Sequence, residues 1–215
     1  MPLQMVHLAV AREYVKAAAN AADLMDCPEF YLGIISPDAI HVRPGTGKND
    51  KRITHLYAEG DLWRANVVDF IKKNKAEANY AFILGYGIHI LTDIIWHDAL
   101  YTGFKQKYEQ DPAPIQDETW AYYNDTDQLD FLLYHEMAWR PRVWELLKTA
   151  KAVDVNGILS SEEVDAWRNH TMRWLDKGES HHKNPIRYIS KADVMEFIQL
   201  AGETIRRDLD DPGDT

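Results

Sequence analysis

The sequence predicts an all-α fold built as a single domain over residues 1–215. Three observations point there. Apolar residues recur at helical spacing through long stretches, helix-start signals stand ahead of several of them, and no alternation of apolar and polar residues runs long enough to demand a sheet. No internal repeat is present.

Residues 3–24 are rich in alanine and other apolar side chains with few β-branched positions, which suits a first helix. Residues 28–38, PEFYLGIISPD, are bounded by prolines and are expected to form an irregular or short apolar segment. RPGTGKNDK, residues 43–51, lacks periodicity and reads as a surface loop. Its GTGK has neither the glycine spacing nor the strand, loop and helix setting of a phosphate loop. A helix is expected over 61–74 and a long apolar one over 75–102. Asp111-Pro112 and Pro114 break the chain, and a helix resumes near Asp127 to run through DFLLYHEMAW. Pro141 suits the first turn of PRVWELLKTAK. Ser160 with Glu163 forms a capping box for the following helix, and Ser190 caps the last one, KADVMEFIQLAGETIRRDL. The tail DDPGDT is expected to fray.

Composition narrows the function. The net charge is −10, so long nucleic acid, which needs a basic stripe, is not an expected partner. Small phosphoesters remain open, because bound divalent ions reverse the sign locally. A single cysteine, Cys27, excludes an internal disulfide and a thiolate-rich zinc site. MPLQMVHLAVAREYVKAAAN has no basic region leading into an unbroken apolar run, so the expected location is the cytoplasm. The apolar stretch over 80–96 is interrupted by His89 and Asp93 and is too short for stable membrane insertion.

That stretch also carries the chemistry. In GYGIHILTDIIWHD, His89, Asp93 and His97 follow one another at four-residue steps. Such a step turns a helix by about 400°, so the three project from one face over about 12 Å of axis. The span is too long for both histidines to grip one ion and suits a central carboxylate serving one or two metals. Unpaired buried polar groups cost about 1–3 kcal/mol each, so something must satisfy them. Three more polar residues sit among apolar neighbours: His7 in MVHLAVA, Asp38 in FYLGIISPDAI and His55 in RITHLYAEGDLW. Imidazole and carboxylate are ligands for zinc, and they also suit manganese, nickel or iron. Taken singly each has an ordinary reading: His7 capping its helix, Asp38 starting a turn after Pro37, Asp93 orienting His89.

Taken in order, HL near the start, FYLGIISPD, THL and GYGIHILTDIIWH resemble the zinc-dependent phospholipase C family over roughly residues 5–100. The resemblance implies a helical fold holding zinc ions in a cleft and a hydrolase of phosphodiesters; single-strand-specific nucleases share that fold. It implies that His55, His89, Asp93 and Asp38 surround one metal, that Asp93 bridges to a second bound by His7, and that His97 serves a further site. Asp38 would orient or deprotonate the attacking water. The expected substrate is a small phosphoester or a phospholipid-like one, and two or more zinc ions are implied.

The chain also departs from the family. Secreted members bind metal through a processed N-terminal tryptophan, which has no counterpart here, and His97 follows Asp93 at a shorter interval. Their later H-x-x-x-E pair is unmatched, with His135-Glu136 the nearest offering; Asp127, Asp130 and His41 are further candidates around the site. His181-His182 reads as exposed loop, His170 as packing beside Trp167 and Trp174, and the aromatic run TWAYYN as core or cleft wall. An alternative reading takes His55, His97-Asp98 and Asp130 as an HD-type metal phosphohydrolase, and another takes the chain as a non-catalytic helical metal-binding protein.

Overall fold

A computed structural model describes residues 3–18, 21–114, 116–155 and 157–210. Helices α1 (Gln4–Ala17) and α2 (Pro28–Ile35) are followed by a 3₁₀ segment, Ser36–Val42. Then come α3 (Lys48–Thr54), α4 (Leu62–Lys73) and α5 (Tyr80–Trp96), which runs through a π turn at His97–Tyr101 into α6 (Thr102–Glu109). The rest is α7 (Glu118–Glu136), α8 (Arg140–Thr149), α9 (Ser161–Leu175) and α10 (Lys191–Asp210). The described residues hold no strand, only an isolated antiparallel bridge between Val155 and Leu159. The all-α expectation is met. No helix among them is long and apolar enough to cross a membrane.

α5 is the axle. From Phe82 to Asp93 every residue is buried, the pattern of a helix surrounded on all sides. It packs against α1, α2, α4 and α10. Its tightest partner is α2, and two glycines set that distance. A Cβ on Gly33 would lie 2.1 Å from the Phe82 carbonyl oxygen, and one on Gly85 would lie 2.2 Å from that of Phe30. The backbones touch there, which no side chain would permit, and the chain leaving α2 is delivered against the middle of α5.

Several boundaries differ from the sequence reading. Residues 28–35 are regular helix because Pro28 stands in the first turn, where a missing N–H costs nothing. The 43–51 loop yields to α3 from Lys48, with Gly47 and Asp50 closing its first turn. The long apolar helix begins at Tyr80 rather than Lys75. α7 starts nine residues before Asp127, at Glu118, because the Asp117 side chain accepts the Trp120 N–H at 2.9 Å and caps it. The expected box of Ser160 and Glu163 is formed, and Ser190 exchanges the same pair of bonds with Asp193. Of the tail, residues 211–215 lie outside the described residues.

Candidate metal centre

α1 turns His7 inward, where its ring stacks on that of His89 with centroids 3.7 Å apart. His89 comes from the middle of α5, one turn before Asp93. Its Nδ1 donates to the Ile34 carbonyl at 2.7 Å, one of the acceptors that the end of α2 leaves without an intrahelical partner. His55 closes α3, and its Nδ1 faces the Lys51 carbonyl at 3.0 Å and the Thr54 hydroxyl at 3.0 Å. These anchors assign the N–H to Nδ1 and leave a lone pair on Nε2 of both rings, the arrangement that orients a ligating histidine. Asp38 arrives on the 3₁₀ segment behind α2, accepting from Gln4 Nε2 at 3.0 Å and Lys51 Nζ at 2.9 Å.

These side chains meet at one point. His55 Nε2 stands 3.3 Å from Asp93 Oδ2 and 3.6 Å from Asp38 Oδ1. His89 Nε2 stands 3.7 Å from Asp93 Oδ2 and 3.9 Å from Asp38 Oδ2, while His7 Nε2 faces Asp93 Oδ1 at 3.5 Å. All five residues are buried. Yet both nitrogens of His7, Nε2 of His55 and His89, and both oxygens of Asp93 have no hydrogen-bond partner. Lone pairs facing lone pairs across such gaps repel unless a cation lies between them. Ligand atoms set tetrahedrally at about 2.1 Å from zinc stand about 3.4 Å apart, close to the separations found. The donor set therefore fits a divalent ion.

The protonation states of His7, His89, Asp38 and Asp93 agree with that fit. An ion at His55 would have to displace a proton that its carboxylate neighbours favour. Burial pushes His7 and His89 below the ordinary imidazole range, His7 strongly, so both stay neutral. Burial alone would raise Asp93, but the imidazoles of His55, His89 and His7 beside it bring it down to about 2. Burial would raise Asp38 too, but Lys51, His41, His55 and His89 together hold it well below the carboxylate range. For His55 the neighbouring carboxylates of Asp38 and Asp93 outweigh burial and raise it. Neutral imidazoles and ionised carboxylates are the states metal binding requires.

Among the described residues two triads could each hold an ion, His7 with His89 and Asp93, and Asp38 with His55 and His89, their ligand atoms all within 4.8 Å of one another. They share His89, whose one available lone pair serves one ion. Asp93 has two free oxygens, one turned to His7 and the other to His55 and His89.

His97 is not brought into this group. α5 leaves the core just after the buried Trp96, and a further turn carries a side chain about 6 Å along the axis. His97 is 66% exposed and its Nδ1 lies 3.1 Å from Asp98 Oδ1. It does share with Asp93, Trp96 and Tyr101 a cavity of about 170 Å³, and it also lines a cleft of about 800 Å³ walled by Tyr57, Trp63, Arg64 and Ile94. The HD-type set does not assemble, because His97-Asp98 is exposed and Asp130 Oδ1 is taken by the backbone N–H groups of Met5 and Val6. His135 Nε2 donates to the Gly178 carbonyl oxygen at 2.6 Å, and Asp127 accepts the Ser180 hydroxyl. His41 lies 3.7 Å from Asp38 and is half exposed. His170 stacks on Trp167, and Trp120 meets His182. Of the TWAYYN run, Tyr122 is core and accepts from the Trp96 indole at 2.8 Å.

Gln4 and Lys51 escaped sequence reading. Lys51 stands four residues before His55, on the same face of α3, a relation hidden while that stretch reads as loop.

A family model described as zinc dependent phospholipase C matches residues 1–176. No curated protein and no solved structure matches the chain.

Proposed function

The chain belongs to the zinc-dependent phospholipase C family, and from that premise we propose that it hydrolyses small phosphodiesters with metal ions held by His7, Asp38, His55, His89 and Asp93. The observation that carries this reading is the set of partnerless nitrogen and oxygen atoms turned toward one another in the core. Two ions would suit the donors, with Asp93 available to both, His7 to one and His55, His89 and Asp38 to the other. When bound, divalent ions supply the charge that acidifies water and steadies a phosphoryl anion.

The chain's own residues do the positioning. The Ile34 and Lys51 carbonyls fix the rings of His89 and His55. Gln4 and Lys51 hold both oxygens of Asp38, which favours its acting as ligand and water-orienting group over proton acceptor. Lys51 is the cation of this corner and lies on its half-exposed side, where it would meet a phosphoryl oxygen. The cavity beside Asp93 is the way in for the phosphoryl group, and the adjoining cleft of Tyr57, Trp63 and Ile94 takes the organic part. His97, common to both, stands at the passage and contacts substrate rather than metal. The net charge of −10 opposes an anionic lipid surface, so zwitterionic or soluble phosphodiesters are the better fit.

The test is elemental analysis of purified protein together with hydrolysis of bis-(p-nitrophenyl) phosphate and of phosphatidylcholine in mixed micelles. Bound zinc with chelator-sensitive cleavage is expected. Zinc-replete protein that cleaves neither substrate would leave a structural ion site instead.

A further inference from the structure

The loop between α8 and α9 carries a pattern unrelated to the metal centre. Read from Ala152 to Glu163, AVDVNGILSSEE has the length and most of the marks of a calcium-binding loop. Such twelve-residue loops place acidic or amide side chains at the first, third and fifth positions, glycine at the sixth, a backbone carbonyl at the seventh and a bidentate glutamate at the twelfth. Here Asp154, Asn156, Gly157 and Glu163 fall at the third, fifth, sixth and twelfth places, and the first is Ala152. Asn156 lies outside the described residues.

The geometry repeats the pattern at its sixth, seventh and twelfth places, with a side chain where the ion would be, while Asp154 Oδ1 accepts the Ser161 N–H at 2.7 Å. Gly157 has φ +74°, the left-handed turn that its place requires. Leu159 is buried and ties the loop to the core, and α9 begins two residues later. Arg43, which follows the 3₁₀ segment bearing Asp38, inserts its guanidinium from across the chain. Its Nε donates to Glu163 Oε1 at 2.5 Å and its Nη2 to Glu163 Oε2 at 2.9 Å, so the twelfth-place carboxylate is gripped through both oxygens. The same Nη2 donates to the Ile158 carbonyl at 3.0 Å, the seventh-place acceptor. Charge is matched as well. A guanidinium brings one positive charge where calcium brings two, and the loop lacks the acid of the first place.

We propose that Gly157, Ile158 and Glu163 stand as in a calcium-type loop, with the Arg43 guanidinium in the place of the ion, so that the segment carrying Asp38 is fastened to α9 by an internal cation. α9 packs on that segment, and the His41 ring meets Trp167 of α9 at 5.8 Å, so the clamp lies behind the Asp38 corner. Arg43 is a positioning residue, and its loss would turn an ion-independent joint into an ion-dependent one.

The experiment compares zinc-loaded wild type, Arg43→Gln, Arg43→Gln with Ala152→Asp, and that double variant with Glu163→Gln, by calcium titration calorimetry and by melting with and without millimolar calcium chloride. Wild type should be indifferent to calcium. The double variant should bind one calcium at least about tenfold more tightly than wild type and regain in its presence the melting temperature lost with Arg43. Glu163→Gln should abolish both gains. Calcium binding to the loop of wild type with the double variant's affinity would overturn the proposal, as would a double variant that is folded by circular dichroism and binds none.

Discussion

Asp93 on α5 and Asp38 beside it face imidazoles; Asp125, Asp127 and Asp130, along α7, face amides and a hydroxyl. All five are buried. On α7 the demand is met within the chain. Asp125 accepts the backbone N–H groups of Arg187, Tyr188 and Ile189, with Tyr188 at 2.6 Å, together with the Asn124 amide. Asp127 takes the Ser180 hydroxyl, and Asp130 Oδ1 takes the first amides of α1, at 2.8 Å from Met5 and 3.3 Å from Val6. Only Oδ2 of Asp130 is left over there. At Asp93 neither oxygen is served. Burial of a carboxylate is thus no mark of a site. Several unmet lone pairs converging are.

The largest expected effect separates the two groups directly. Asp93→Asn should strip bound metal and lower kcat/KM on a phosphodiester by about 10³-fold, while Asp125→Asn keeps its metal content; elemental analysis beside the assay reads both. Equal metal loss in the two variants would break the contrast. Next comes the ion's own contribution. Chelation of wild type should lower the unfolding free energy by about 3–4 kcal/mol if the ion was present at 10²–10³ times its Kd, and Asp93→Asn should not respond. Urea unfolding with and without chelator decides it. Asp125→Asn should destabilise by about 2–3 kcal/mol, since it weakens charge-assisted bonds to three amides, and chelator should leave that difference unchanged.

The smallest effect is a pair of opposite pH slopes in metal-free protein. Asp93 sits at about 2 in the fold against 3.8 in the unfolded chain, so its stabilisation is present above about pH 4 and is lost as pH falls toward 2, about 2 kcal/mol in all. Burial pushes the Asp130 carboxyl well above its usual range, against the pull of the Met5 and Val6 amides. A raised carboxyl works in the other direction, contributing stability that is full below about pH 4 and is lost as pH rises through the folded value. Urea unfolding from pH 2 to 6 should show Asp93→Asn losing the first arm and Asp130→Asn the second. Parallel shifts in both variants would contradict the distinction.

Much of this arrangement is readable in the sequence because helices announce themselves locally. The apolar run of α5, the Ser160 box and Pro141 each carry their own signal within a few residues. The boundaries that escape depend on contacts or caps. Asp117 stands far ahead of the periodic part of α7, and Pro28 looks like a breaker until its place in the first turn is known. The same division holds at the metal centre. His89 and Asp93 declare themselves by spacing on one helix, and His7, Asp38 and His55 by being polar among apolar neighbours. His97 shares the spacing, but helical period says nothing of where the core ends. Gln4 and Lys51 escape because amide and ammonium are not ligand types, and their role appears only when three separate elements meet at Asp38. Gly33 and Gly85 lie in plain view, yet their purpose is visible only with the two backbones in contact.

The cap on α1 has a consequence for synthesis. The amides of Met5 and Val6 are received by a carboxylate 125 and 124 residues downstream. While the ribosome is still extending the chain, the helix that bears His7 has no seat for its leading turn until Asp130 has cleared the exit tunnel. Long-range closures of this kind are slow to form and leave apolar surface open to wrong partners meanwhile. Nascent chains halted short of Asp130 should therefore fail to retain the ion, whereas longer ones acquire it, which places metal capture late in the life of the growing polypeptide.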